Sequence, residues 1–384
     1  MASLMVFSVL PSFITEELGL SLAVIGTVEG ICIATSFISK VSCGVACDLS
    51  IGRKPFILAG SILSTCSKPL FVLASGGWSL FFARFFDRLS KGVRSAPTDA
   101  FLADASTKKS YGRTYGFRQS LYVGGAVAGA SAAMLIMYLS GNQYRMVFCL
   151  SIIPNLAAII IYFLFLKNRQ PTQKKSLEKN NRFVLKLNQI KKLPTSYWYT
   201  LGLISFLMLA RFSEVFLVLR AKEFECPIAC LPLTIVVMDV VHALVAIPCG
   251  KLADRKSPKL ILMVGSFFLS ITHFLLVYVN SLVAVFVCIA LAGMSMGMTQ
   301  GLLKAMTAGC IPEQIRGSGF ALFYLVSGVF IFLGNFVAGY LSQHHGLQYA
   351  FLAGGSCALI GSLCLAIMIY KENLQTLLFP STPL

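Results

Sequence analysis

Long apolar stretches recur from one end of this sequence to the other, and they limit the possible folds more than any other feature. Most of them approach or exceed the ~20 residues that a helix needs to cross a bilayer. Turn residues and charges divide the chain into twelve such segments: 1–14, 20–43, 55–75, 79–103, 113–140, 145–166, 196–220, 229–250, 259–279, 281–308, 316–341 and 347–370. The runs do not alternate with the period of two that membrane strands show. We therefore predict an all-α polytopic membrane protein.

The composition fits a chain that is surrounded by lipid. Hydrophobic residues make up 57% of the sequence and charged residues 12%, whereas a globular domain is about 25% charged. The net charge of +17 would suggest nucleic acid in a soluble protein, but cytosolic loops of membrane proteins collect Lys and Arg. The twelve Cys residues are scattered through apolar segments, so we interpret them as small core residues and predict no metal site.

Basic residues concentrate in alternate loops, and this asymmetry predicts the orientation. The even-numbered gaps between segments contain Arg53, Lys54, Lys108, Lys109, Arg113, Lys251, Arg255, Lys256, Lys259 and Arg316. Cytosolic loops carry this excess. We therefore predict an inner-membrane protein with both termini in the cytosol. The long basic stretch 167–195 separates the first six segments from the last six. The predicted organisation is an N-terminal half at 1–166, a cytosolic linker at 167–195, a C-terminal half at 196–370 and a cytosolic tail at 371–384.

The first apolar segment is short for a membrane helix. Residues 1–14 would span ~21 Å as a helix, whereas the hydrocarbon core is ~30 Å thick. We therefore expect further apolar residues to be encoded upstream.

Two predicted cytosolic loops repeat one another. The loop after segment 2 reads GVACDLSIGRK from Gly44, and the loop after segment 8 reads GKLADRKSPK from Gly250. Asp48 and Asp254 occupy the same position in the two copies. The entries to segments 5 and 11, YGRTYGF and IRGSGFALF, are also alike. A repeat of this length in parallel orientation indicates two pseudo-symmetric halves.

The first loop resembles the major facilitator superfamily signature G-x-x-x-D-x-x-G-R-[RK]. Arg88-x-x-Lys91-Gly92 resembles that superfamily's R-x-x-[Q]-G motif, and stretches 29–40, 68–74, 87–100 and 213–221 resemble a prokaryotic subgroup. The resemblance implies twelve helices in two pseudo-symmetric six-helix bundles, with a central cavity lined by helices 1, 4, 7 and 10. It also implies a cytosolic gate built from Gly44, Asp48, Gly52, Arg53, Lys54, Gly250, Asp254 and Arg255.

The sequence departs from the superfamily pattern in two places. Leu49 stands where many members carry Arg, and helix 5 reads VGGAVAGAS without the Gly-Pro pair of the antiporter motif. The second departure disfavours a drug/proton antiporter.

Six charged residues lie within one stretch of segment 4, RFFDRLSKGVRSAPTD (84–99). On a helix they share an arc of roughly 140°. A charge on the lipid side costs several kcal/mol, so this face is predicted to point toward the bundle interior or water. For Asp99 and Asp104 the alternative is a salt-bridged cytosolic end of the helix.

Polar residues of other segments converge with this face if the family architecture holds. The predicted substrate or cavity residues are Arg84, Asp87, Arg88, Lys91, Arg211, Glu214, Gln300 and Lys304. Arg211 and Glu214 have i,i+3 spacing on segment 7, and Gln300 and Lys304 have i,i+4 spacing on segment 10. Candidates for proton coupling are Glu29, Asp239 and His242, because ionisable groups in low dielectric can titrate near neutrality. A static buried ion pair is the alternative for each candidate.

These features predict a secondary active transporter that moves a small solute by alternating access with ion coupling. The intramembrane excess of Arg and Lys over carboxylates favours an anionic substrate. The alternatives are a proton-coupled exporter of organic compounds, metal or metal-chelate efflux, and a non-transporting membrane sensor. The sequence contains no nucleophile–base set or phosphate-cradling loop, so we expect no enzyme, no catalytic residues, no cofactor and no nucleic-acid partner. The expected partners are the bilayer, a small molecule and protons, with a monomer as the default state.

Overall fold

The computed structural model describes residues 1–19, 22–49, 52–165, 193–211, 214–225 and 231–378. These residues form helices joined by short connections, and the part described contains no strand. The first group of helices is α1 (Ala2–Ser12), α2 (Leu22–Leu49), α3 (Lys54–Val72), α4 (Gly77–Ala105), α5 (Tyr111–Leu139), α6 (Tyr144–Leu150) and α7 (Ile152–Phe165). The second group is α8 (Thr195–Leu209), α9 (Glu214–Glu223), α10 (Leu231–Arg255), α11 (Pro258–Tyr278), α12 (Leu282–Cys310), α13 (Arg316–His344) and α14 (Leu347–Leu378). Short π or 3₁₀ turns occur at Phe13–Glu17, Lys108–Ser110 and Glu313–Ile315.

Each predicted apolar segment coincides with one helix or with a pair of consecutive helices, so the all-α prediction is confirmed. By length and composition, eight helical stretches of the described chain could cross a membrane. They are Lys54–Val72, Lys108–Leu139, Tyr144–Phe165, Leu233–Arg255, Pro258–Tyr278, Leu282–Cys310, Glu313–His344 and Leu347–Tyr370. Helix α4 is long enough but carries the charged stretch, whereas α1, α8 and α9 are each shorter than a span.

Two predicted segments are interrupted. Segment 6 divides into α6 and α7 at Ser151, because Pro154 has no N–H to donate and its ring opposes the carbonyl four residues earlier. Segment 7 divides into α8, which ends at Leu209, and α9, which begins at Glu214. The prediction that Arg211 and Glu214 share one face of a continuous helix is therefore wrong. The sequence Ser213-Glu214 before an apolar run is a signal for a new helix start.

Three helices run at least five residues farther than predicted. Helix α2 continues to Leu49, α10 to Arg255 and α14 to Leu378, into the predicted tail. Most of the predicted linker 167–195 lies outside the described residues, which resume at Leu193.

The chain divides into two compact units. Unit 1 comprises Met1–Ala105, Gly125–Pro194 and Cys310–Leu325, and unit 2 comprises Ser106–Gly124, Thr195–Gly309 and Val326–Leu384. The first half of α5 therefore belongs with α8–α12, and the start of α13 belongs with α1–α4.

Each unit has its own apolar core. In unit 1, α4 packs on α2 and α3, and a cluster that includes Val6, Phe13, Phe71, Leu80 and Phe148 is buried between α1, α3, α4 and α6. In unit 2, α11 packs along α14, and the core includes Met238, Leu276, Val285, Ile289 and Phe351. Burial of these side chains fixes the helices that carry the charged residues described next.

Candidate functional site

A carboxylate on α4 is the centre of a buried group of charges in unit 1. Asp87 lies 2.8 Å from Lys68 Nζ and 2.9 Å from Lys91 Nζ, and Arg84 Nη1 lies 3.9 Å from its second oxygen. Ser3 of α1 donates to the same carboxylate at 3.5 Å. Four polar side chains from three helices thus converge on Asp87.

The members of this Asp87 cluster differ in exposure. Lys68 is 0% exposed, Arg84 1% and Asp87 2%, whereas the Lys91 side chain is 24% exposed. The two lysines, the arginine and the carboxylate together have a formal net charge of +2. A buried cation is stabilised when an opposite charge and hydrogen bonds compensate for lost hydration. Lys91 is therefore the one charged member of the cluster with a substantial exposed fraction.

Aromatic contacts complete the cluster on the α1 side. The guanidinium carbons of Arg84 and Arg88 lie 5.4 Å and 5.9 Å from the centroid of the Phe7 ring. Phe7 is 44% exposed, and Arg88 is half-buried. Cation–π contacts of this kind hold a guanidinium in place without cancelling its charge.

Unit 2 contains two cations beside a buried histidine. His242 on α10 is 2% exposed, and Arg211 and Lys304 are close enough to interact with it electrostatically. Asp239, one turn before His242 on the same helix, is half-buried. Gln300 of α12 accepts a 2.7 Å hydrogen bond from Gln119 of α5.

Arg211 also lines a small internal cavity of unit 2. The cavity has a volume of about 30 Å³ and is bordered by His273, Ser295, Thr299 and Phe351 among others. A cavity of that volume could hold about two water molecules. The interruption between α8 and α9 thus places Arg211 beside polar groups of α11 and α12.

Asp48, in the first signature loop, caps a helix. Its carboxylate accepts backbone N–H groups from Gly317 at 2.9 Å and Ser318 at 2.7 Å, and the Ser318 hydroxyl at 2.8 Å. These are the first residues of α13, whose unpaired N–H groups and dipole favour a negative charge. Gly44 permits the approach, because an added Cβ there would lie 2.6 Å from the carbonyl oxygen of Gly317.

Ion pairs surround this cap. Asp104 at the end of α4 accepts from Arg53 Nε at 2.7 Å and from Arg316 Nη1 at 2.5 Å. Arg53 also donates to the carbonyl of Glu313 at 3.3 Å. The salt-bridged helix end that the sequence suggested is present for Asp104.

Asp254, in the repeated loop, caps α5 in the same way. Its two oxygens accept the N–H groups of Gly112 at 2.6 Å and Arg113 at 2.7 Å. Helices α5 and α10 touch at glycine, because a Cβ on Gly250 would lie 2.4 Å from the carbonyl oxygen of Gly112. The sequence repeat is therefore also a repeat of one structural device.

The remaining predicted residues have varied positions. Gly52 is buried, Lys54 donates to the carbonyl of Phe163 at 3.2 Å, and Arg255 is exposed at the end of α10. The side chains of Glu29 and Glu214 lie outside the part of the chain that the structure describes.

Three contributors were missing from the predicted site. Lys68 is absent from the predicted site residues, although a lone charge in an apolar helix was an available signal. Phe7 and Tyr324 gave no signal, because aromatic residues are common in apolar helices. Tyr324 donates a short hydrogen bond to Asp99, where a salt bridge had been suggested.

Sequence comparison agrees with this architecture. The sequence profile described as the Major Facilitator Superfamily matches residues 1–241 and 231–382. The chain belongs to the Major Facilitator Superfamily. It is accordingly a multi-pass membrane protein of the transporter class, and its family members bind small molecules within a lipid bilayer.

Relatives of this superfamily chain come from archaea and bacteria. An uncharacterized MFS-type transporter of Methanocaldococcus jannaschii is 28% identical over 372 residues, covering 95% of this chain and 90% of the relative. An uncharacterized protein of Mycobacterium tuberculosis is 23% identical over 329 residues, covering 85% and 79%.

Solved structures share the fold. The human organic anion transporter MFSD10 (TETRAN) superposes with a TM-score of 0.76 at 15% identity, covering 95% of this chain and 96% of that one. The Escherichia coli fucose:proton symporter gives a TM-score of 0.74 at 14% identity, covering 95% and 94%. At these identities the likeness concerns the all-helical fold alone.

Proposed function

We propose that this chain is a secondary active transporter that moves a small anionic solute by alternating access. The observation that carries the proposal is the Asp87 cluster, in which Lys68, Lys91 and Arg84 converge on a single carboxylate. The named groups carry a formal charge of +2 inside a helical membrane protein, where ionisable side chains mark solute pathways. Their positive charge would attract an anionic solute.

We propose different roles for the buried and the exposed members of the cluster. Lys68 and Arg84 are almost completely buried, so their role is to neutralise Asp87 and to fix its orientation. Lys91 is partly exposed and Arg88 is half-buried, so these two are the proposed contacts to the solute. Arginine offers a planar pair of donors that suits carboxylate or phosphate groups.

Unit 2 supplies two further cations, Arg211 and Lys304, which interact electrostatically with the buried His242, and Gln300 lies one turn from Lys304 on α12. We propose that these residues form a second anion-attracting group within unit 2. An organic anion transporter is among the proteins with this fold, but the anion assignment depends on the cations of this chain.

The two capped helix junctions are the proposed inner gate. Asp48 binds the start of α13 and Asp254 binds the start of α5. Each junction joins helices from different predicted halves, so its opening would accompany a change of access. We propose that the protein lies in the inner membrane and that both of its termini are in the cytosol. Glu29, Asp239 and His242 remain the proposed proton-coupling residues.

A transport screen in proteoliposomes tests this function. The purified protein is reconstituted and supplied with matched anionic, neutral and cationic solutes, with and without a pH gradient. We expect saturable uptake of at least one anion, reduced at least tenfold by Lys91→Gln. Lys222→Gln on the exposed end of α9 is the matched control and should transport normally. Uptake of neutral or cationic solutes alone would overturn the proposal.

A further inference from the structure

The two repeated helix junctions differ in how their cations are neutralised. At the Asp48 junction of unit 1, the neighbouring Arg53 and Arg316 side chains are each 3% exposed, and both pair with Asp104. At the Asp254 junction of unit 2, the neighbouring cations are exposed instead. They are Lys108, Lys109, Arg113, Lys251, Arg255 and Lys256, here called the basic rim. None of these six side chains forms an ion pair with a residue that the structure describes.

The sequence repeat explains this difference. Gly112 and Gly317 are the first residues held by Asp254 and Asp48. The residue eight positions before Gly112 is Asp104, whereas the residue eight positions before Gly317 is Gly309. The second copy of the repeat therefore lacks the carboxylate that neutralises the cations of the first copy. The six cations of the rim and the single carboxylate of Asp254 leave a formal net charge of +5.

The basic rim surrounds one contact between α5 and α10. Arg113 and Lys251 directly follow Gly112 and Gly250, and a Cβ on Gly250 would lie 2.4 Å from the carbonyl oxygen of Gly112. The 3₁₀ turn Lys108–Ser110 packs against the same part of unit 2, on α10. Cations from both helices therefore form one surface, and an anionic group at this surface can contact side chains of both.

The rim also lies where helices leave the membrane. The stretches Lys108–Leu139 and Leu233–Arg255, which are long and apolar enough to cross a bilayer, begin and end within the rim. A third such stretch, Pro258–Tyr278, begins two residues after it. Residues at the ends of membrane spans lie beside the lipid headgroups. The cations are therefore at the depth of the phosphate groups of the bilayer.

Exposed apolar side chains continue from the cations toward the membrane interior. On α5, the exposed Phe117 lies one turn beyond Arg113, and on α10 the exposed Leu244 lies two turns before Lys251. Residues four or seven positions apart share one face of a helix. Each helix thus presents a face that is cationic at the membrane boundary and apolar below it. This arrangement matches a molecule with an anionic headgroup and hydrocarbon chains.

We propose that the basic rim is a binding site for anionic phospholipids, whose phosphate groups are held between α5 and α10. Lys and Arg at a membrane surface attract anionic headgroups, and the paired donors of Arg113 and Arg255 suit a phosphate. A nucleic acid or an acidic peptide would use the cations alone, whereas the apolar faces below them favour a lipid. The lipid supplies the negative charge that Asp104 supplies at the other junction.

Native mass spectrometry of the full-length protein tests the site. The protein in micelles of a neutral detergent is titrated with phosphatidylglycerol, or with phosphatidylcholine that has the same acyl chains. The wild-type protein should bind phosphatidylglycerol about tenfold more tightly or better. Arg113→Gln combined with Lys251→Gln should weaken that binding about thirtyfold and leave the binding of phosphatidylcholine unchanged. The control pair Arg145→Gln and Lys222→Gln removes two exposed cations elsewhere and should bind as the wild type does.

A second pair of substitutions keeps the test informative if the first pair prevents folding. Lys109→Gln combined with Lys256→Gln changes two exposed side chains outside the contact of α5 with α10 and should weaken binding to a similar extent. Thermal unfolding without added lipid verifies that each variant is folded. Inorganic phosphate, compared with chloride at equal ionic strength, should not displace phosphatidylglycerol, because the acyl chains also contribute to binding.

Three results would overturn the inference. The first is equal wild-type affinity for phosphatidylglycerol and phosphatidylcholine, and the second is an equal loss of binding in the rim variants and the control pair. The third is displacement by inorganic phosphate, which would assign the rim to a free anion. No transported solute is present, so this outcome is separate from success or failure of the anion-transport screen.

Discussion

Asp87→Asn is expected to destabilise the protein strongly, because it removes charge without changing shape. The carboxylate contacts Lys68 and Lys91 at 2.8 Å and 2.9 Å, and Lys68 and Arg84 have almost no exposed surface. Removing one partner of a buried ion pair leaves the others uncompensated and costs about 3–5 kcal/mol. This corresponds to a decrease of roughly 10 °C in the midpoint of thermal unfolding.

The thiols of the protein make this assay direct. Cys32, Cys47 and Cys288 are buried, so a thiol-reactive dye becomes fluorescent as the purified protein unfolds in detergent. Glu17→Gln is the matched control, since its 2.7 Å pair with Arg145 is 32% and 50% exposed and such pairs contribute about 1 kcal/mol or less.

A second substitution separates charge from packing. Adding Lys68→Met to Asp87→Asn removes the most deeply buried cation and should recover part of the lost stability. If Asp87→Asn lowered the midpoint no more than Glu17→Gln, the idea of a buried, mutually compensating charge cluster would be refuted.

Three further predictions concern the gate and the topology. Gly250→Val should reduce transport at least tenfold without loss of expression, because the facing helix α5 leaves no room for a Cβ. The control Gly339→Val, at a position with open space, should transport normally. Equal transport rates for the two variants would contradict the close junction. Asp254→Ala should lower transport about two- to thirtyfold, the range for a lost helix cap, and Asp48→Ala should lower it more because an ion pair is also lost; unchanged rates would show that the caps have no role. A cysteine at Lys179 should resist impermeant reagents in intact cells, and its labelling would reverse the predicted orientation.

Helices were predictable from the sequence because each bilayer span must be apolar over a fixed length. The prediction of one continuous helix failed at Arg211. This residue lies in an apolar run, but it borders a cavity and a new helix begins shortly after it. The helical period also predicted that the charges of α4 share one face. This was possible because the face of a residue depends only on its spacing along its own helix.

Partners on other helices could not be derived in this way. The pairing of Lys68 with Asp87 depends on how α3 packs against α4, and one sequence does not contain that register. The hydrogen bond from Tyr324 to Asp99 joins residues far apart in the chain. In contrast, the repeated loops correctly placed Asp48 and Asp254 in equivalent positions, because a duplicated motif carries its local geometry with it.

Uptake of one anionic solute and its uncharged amide, compared in wild-type, Arg88→Lys and Arg88→Ala proteoliposomes, tests the central claim most directly. The Arg88 guanidinium lies 5.9 Å from the centroid of the Phe7 ring beside the Asp87 cluster, and lysine keeps the charge but loses the planar donor pair. The wild-type protein should take up the anion and exclude the amide, and both variants should insert normally with severely reduced uptake, while Arg145→Lys in an exposed pair should not. Equal uptake of anion and amide by the wild-type protein, or normal anion uptake by both Arg88 variants, would contradict the account.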